Sequence, residues 1–119
     1  MPNWSAIEAS FLRQPHQQQL GELAASLARL KSWSQKSASC EIVPVLLEEN
    51  LLYIKLIQEQ NYIAQLSQIQ DQLIEWQRNW LSICDRSTEI ANLATLAAAW
   101  SDWVLDMSGL LVAAESMSA

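Results

Sequence analysis

The sequence predicts an all-α protein: an antiparallel helical bundle of three main helices with a short N-terminal helix. Three observations predict it. Ala, Leu, Gln and Glu dominate the composition, and these residues favour helix. Only two glycines (Gly21, Gly109) and three prolines (Pro2, Pro15, Pro44) punctuate 119 residues, too few for the turns of an all-β fold. Apolar side chains recur at alternating spacings of three and four, the repeat of a helix face.

The leading segment, MPNWSAIEASFLRQP, reads as a short helix. Ser5 and Glu8 have capping-box spacing, and Trp4, Ile7 and Phe11 share one face. Pro15 disfavours helix at Gln14, which ends the segment, and suits the first position of a second helix, near 15–37. There Leu20, Leu23, Leu27 and Leu30 form an apolar stripe opposite Glu22, Ser26, Arg29 and Lys31. The helix decays into SWSQKSAS, where serines compete with the backbone for hydrogen bonds.

Pro44 predicts the start of a third helix, with Glu48 and Glu49 in its first turns complementing the helix dipole. From Tyr62 a heptad runs through Leu66, Ile69, Leu73, Trp76, Trp80 and Ile83. Upstream, Leu46, Tyr53 and Ile57 lie on one stripe and Val45, Leu52 and Leu56 beside it. The downstream frame carried backwards meets Glu59 and Lys55, so the seam shifts register within KLIQEQNYIAQL (55–66). That stretch has no glycine, proline or serine run. A drift of the apolar face predicts one helix over 44–84, about 40 residues and about 60 Å long at ~1.5 Å per residue. A break near Gln60–Asn61 makes a four-helix bundle instead. The two alternatives separate on the cysteines: a continuous helix holds Cys40 and Cys84 beyond the ~7 Å limit for a disulfide, and a fold-back brings them together.

CDRST (84–88) breaks the chain again, with Asp85, Ser87 or Thr88 available as caps. A last helix near 88–115 carries Ile90, Leu93, Ala97, Trp100, Val104, Met107, Leu111 and Ala114 on one stripe. Leu96, Trp103 and Leu110 run alongside. Its polar strip is narrow, so it is buried on two sides or covered by another chain.

Residues 1–119 are the length of one domain with a real core. Net charge is −6, and the acids are uneven. Arg13, Arg29, Lys31 and Lys36 outnumber Glu8 and Glu22 in residues 1–39. Residues 40–119 hold Lys55, Arg78 and Arg86 against eleven acids. Such a chain repels phosphates, so no nucleic-acid partner is expected. No signal segment opens it. Asp102 and Asp106 interrupt the most apolar region, so no transmembrane segment is expected. The expected location is cytoplasmic.

The residue types of catalysis are sparse. His16 is the only histidine and sits at a helix start, so the paired Glu-x-x-His motifs of a di-iron bundle are impossible. No glycine-rich loop exists to hold phosphate. Cys40 and Cys84 lack metal-ligand spacing. Asp102 and Asp106 share a helix face and read as its solvated strip. The expectation is no enzyme, with no catalytic residue, cofactor or metal.

Six tryptophans are many for this length. A hairpin turning at 84–88 brings Trp76 within about a turn of Trp100. These rings read as an aromatic layer of the core, a partner-binding patch or the lining of a small-molecule pocket. Trp76, Trp80, Trp100, Trp103, Leu96 and Leu110 are the candidate partner-binding residues.

Pro44, LLEEN (46–50), Ile54, Ile57 and the Gln60–Asn61 pair resemble the amino-terminal helical region of the SSXT family of transcriptional co-activators, with Arg78–Asn79 echoing a later step. The resemblance covers residues 44–79. It departs after Asn61, where that family has a glycine-containing turn and this chain has Tyr62, Ile63 and Ala64. It implies protein binding and a turn at residue 61. The size and helical layout are also similar in shape to small secretion chaperones and granule-coating phasins. The functional expectation is a non-catalytic protein–protein interaction module (adaptor, chaperone or assembly factor) that self-associates through its last helix, most simply as a homodimer. A small-molecule-binding or regulatory bundle with a Trp-lined pocket is the alternative.

Overall fold

Five helices make up the computed structural model, which describes residues 3–36 and 39–109: α1 (Trp4–Leu12), α2 (His16–Ser34), α3 (Ser39–Gln60), α4 (Ala64–Ile83) and α5 (Ser87–Ser108). The described residues contain no strand. Asn3, and not the Ser5–Glu8 box, caps α1: its side chain accepts from the Ala6 N–H at 3.1 Å, a contact of about 1 kcal/mol. Pro15 sits one step before α2 in extended conformation, and its carbonyl accepts from the Gln19 N–H.

The expected helix start at Pro44 is overturned. Helix α3 begins at Ser39 and Pro44 lies inside it. A proline there has no N–H for the carbonyl four residues back, which belongs to Cys40. The indole N–H of Trp80, from the far end of α4, donates to that carbonyl at 3.1 Å. A side chain forty residues away supplies the donor the proline lacks.

The single helix over 44–84 is also overturned. Helix α3 stops at Gln60, and residues 61–63 reverse the chain before α4. The greatest dimension of the molecule is 44 Å, short of the expected rod. Glutamine side chains do what glycine or proline does elsewhere. Gln58 Oε1 accepts from the Ile63 N–H at 2.7 Å. Its Nε2 donates to the Ile63 carbonyl at 3.0 Å and to Ser67 Oγ at 3.3 Å. The Tyr62 hydroxyl meets Ser67 Oγ at 2.9 Å. The turn therefore satisfies its backbone without left-handed residues.

The four long helices run up and down. Ser26 faces Glu49 and Asn50, and Gln19 faces Gln60, so α2 and α3 are antiparallel. Trp80 at Cys40 does the same for α3 and α4. Ser101 Oγ donates to the Ala24 carbonyl at 2.8 Å, tying α5 to α2. Helix α2 packs on both α3 and α5, and α3 packs also on α4, whereas α4 and α5 barely meet. The predicted stripes are the core: Leu20, Leu23, Leu27 and Leu30 of α2 and Leu66, Ile69, Leu73, Trp76, Trp80 and Ile83 of α4 are all buried. Phe11 stacks on Tyr53 at 4.4 Å between centroids, seating α1 on α3.

Gln19, Ser26 and Asn50, polar residues inside this core, are partnered across helices. Gln19 Nε2 donates to the carbonyls of Phe11 and Gln14 at 3.2 and 3.1 Å. Glu49 accepts from Ser26 Oγ at 2.7 Å and pairs with Arg29. At the far end, none of the expected caps starts α5; Arg86 is its N-cap and has no side-chain bond there. Of the helix expected near 88–115, α5 covers the part up to Ser108, and residues 110–115 lie outside the described residues. Gly109, at φ 77°, closes the helix in left-handed conformation, which glycine adopts without steric penalty. Leu110, Leu111 and Ala114 lie outside the described residues. No helix among the described residues is long and apolar enough to cross a membrane.

Candidate functional site

Because α4 packs on α3 and α5 packs on α2, a gap opens between α4 and α5. Helix α4 turns its heptad toward α3 and presents Gln65, Gln68 and Gln72 at the rim, with Ile69 below. Helix α5 buries Leu93, Ala97 and Val104 of its main stripe; Trp100 of that stripe, with Leu96 and Trp103 of the second, lines the gap. The result is a groove of about 330 Å³ with an apolar wall and a glutamine rim. No charged side chain lines it. Leu96 to Trp103 spans two helical turns, about 10 Å.

The candidate residues divide accordingly. Leu96, Trp100 and Trp103 line the groove and are half-buried. Trp76 is buried behind it, its ring 5.3 Å from that of Trp100 and tilted by 39°. That tilted contact is the pairing expected of a hairpin at 84–88, and it joins α4 to α5. Trp80 is buried and committed to the Cys40 carbonyl. Leu110 lies outside the described residues.

A second groove, about 350 Å³, lies on the other side of α4 among Trp4, Leu51, Leu52 and Ile74, with Glu48, Lys55 and Gln70. Leu81 on α4 is 90% exposed and Tyr62 just before it 68% exposed. Helix α4 thus leaves Leu81 and Ile74 uncovered on its outer side. The expected heptad began at Tyr62, but Tyr62 falls in the turn before α4 and is exposed, and the buried stripe starts at Leu66; Leu81 lies off that stripe. His16, Asp102 and Asp106 are exposed, with no ion pair among the described residues.

The opposite end of the bundle holds a set that sequence spacing did not suggest. The α3–α4 fold-back brings Cys40 and Cys84 together with Asp85. They border an open hollow of about 520 Å³ among Ser34, Gln35, Lys36, Ser87 and Ile90. Hydrogen bonding to Cys84, then desolvation and the nearby Asp85 charge, push the Cys40 thiol up to about 11. Burial, then Glu49 and Glu22, raise the Tyr53 hydroxyl. The signal for the cysteine pairing was the register shift at 55–66, which marks the break that joins them.

Set against known protein families, curated proteins and solved structures, the chain finds no match in any of the three.

Proposed function

We propose that the chain is a non-catalytic helical protein–protein interaction module, an adaptor, chaperone or assembly factor, whose α4–α5 groove takes an apolar helix face of a second copy. The observation that carries this reading is the gap between two neighbouring helices, walled by Leu96, Trp100 and Trp103. Tryptophan concentrates binding energy at interfaces, and a groove between helices suits helix-in-groove docking. The uncharged lining favours a second copy, because two chains of net charge −6 meet there without opposed carboxylates. A two-fold homodimer is the simplest closed assembly. The setting that suits this reading is the cytoplasm, with no nucleic acid bound.

Light scattering over a concentration series tests it. A mass that rises toward a dimer, and a Trp103→Glu variant that stays monomeric with unchanged helical circular dichroism, is the expected result. A strict monomer at every concentration overturns it.

The groove volume falls at the small end of ligand pockets, roughly 300–1,000 Å³, and this favours a second reading as a Trp-lined small-molecule site. Quenching of tryptophan fluorescence by one class in a panel of hydrophobic ligands, lost in Trp100→Ala, distinguishes it.

A further inference from the structure

We infer that Cys40, Cys84 and Asp85 form a binding site for a thiophilic divalent cation, Zn²⁺, at the end of the bundle where α3 begins, α4 ends and α5 begins. The inference stands on where three donor atoms lie. The two sulfurs and a carboxylate oxygen all fall within 4.8 Å of one another. Asp85 Oδ1 is 3.9 Å from the sulfur of Cys40 and 3.9 Å from that of Cys84. One carboxylate oxygen thus collects both thiol protons.

A tetrahedral zinc ion with Zn–S of about 2.3 Å and Zn–O of about 2.0 Å sets neighbouring donors about 3.5–3.8 Å apart. The observed edges to the carboxylate oxygen exceed this by tenths of an ångström, so the three atoms already outline one face of the tetrahedron. Zn²⁺ replaces the two thiol protons, which pass to solvent, and two thiolates and a carboxylate then hold the ion. The donor set selects the metal: paired thiolates exclude Mg²⁺ and Ca²⁺, and the carboxylate disfavours Cu(I). Asp85 is free for this role, since it makes no ion pair among the described residues.

The fourth position faces the hollow that Ser34, Gln35, Lys36 and Ser87 border. A site with three protein ligands and an open vertex binds water or an incoming donor there. The ion would join segments that sequence holds far apart and close the end of the bundle opposite the α3–α4 turn. The site is independent of the α4–α5 groove and does not rest on the self-association reading.

The test uses the full chain, reduced and metal-free, titrated with Co²⁺. The expected result is a thiolate-to-cobalt charge-transfer band that saturates at one ion per chain and disappears on adding Zn²⁺. Cys40→Ser and Cys84→Ser lose the band. Asp85→Asn keeps it with affinity reduced about tenfold or more. Alkylation of the unmodified protein reads the same site without relying on a variant: equimolar Zn²⁺ should protect both thiols. Absence of the band, saturation at one ion per two chains, or alkylation rates that ignore Zn²⁺ each overturn the inference.

Discussion

The seam between α2 and α3 and the seam between α4 and α5 are both built from helices with regular apolar repeats, yet one is closed and the other open. The α2–α3 seam interlocks leucines and adds cross-helix polar bonds: Ser26 and Arg29 to Glu49, and Gln19 to Gln60. The α4–α5 seam meets at Trp76 and Trp100 and then splays around a groove. The contrast teaches that a periodic stripe announces a face to be covered without naming the neighbour that covers it. Helix α5 commits the buried part of its main stripe to α2, and what remains beside α4 is its tryptophan side.

The closed seam should break hardest. Leu27 is fully buried, so Leu27→Ala is expected to cost about 2–5 kcal/mol, the range for emptying a core leucine site, read from the urea midpoint. The turn between the seams comes next. Gln58→Met keeps the volume and deletes the bonds to Ile63 and Ser67; a loss of about 1–2 kcal/mol is expected.

On the open side, Trp103→Ala should cost about 1 kcal/mol, since a half-buried ring forfeits only part of its transfer free energy. Its larger effect should be on self-association, measured by sedimentation. Trp80→Phe should cost about 0.5–1 kcal/mol by stranding the Cys40 carbonyl. In a Pro44→Ala background the cost should shrink, because the substituted residue regains a backbone N–H that reaches that carbonyl. Equal costs in both backgrounds would refute the link between proline and indole.

The smallest effect is set by pH. The folded Cys40 thiol, pushed from 9.0 up to about 11, favours the folded state while it keeps its proton. Stability of the metal-free protein from this group is therefore full below about pH 9 and lost as pH climbs through about 11. Cys40→Ser should flatten that alkaline limb in thermal melts.

The helical class, the α2 leucine stripe, the α4 heptad and the Trp76–Trp100 pairing were legible because each follows from local spacing. Three features were not. The turn at 61–63 is closed by the Gln58 amide reaching forward to Ile63 and Ser67, and glutamine is an ordinary helix former, so composition signalled continuity. Pro44 reads as a start signal because its interior position is tolerable only with a donor from Trp80, a partner that no window of local sequence contains. The Cys40–Cys84 approach was legible only as the consequence of the fold-back alternative, and Asp85 as its third member was not read at all. Within the groove, Leu96, Trp100 and Trp103 were legible as surplus apolar surface, whereas Ile69 and the glutamine rim required knowing how far α4 stands from α5.

The α3–α4 hinge contains no residue that forbids helix, so its reversal is enforced by one side-chain amide and the packing beyond it. Straightened, the same segment is a rod whose two ends can serve different bundles, and exchanged dimers arise by that route. In such an intertwined pair, Cys40 of one chain would face Cys84 of the other. Whether an oxidative crosslink runs within a polypeptide or between two then reports which way the hinge has gone.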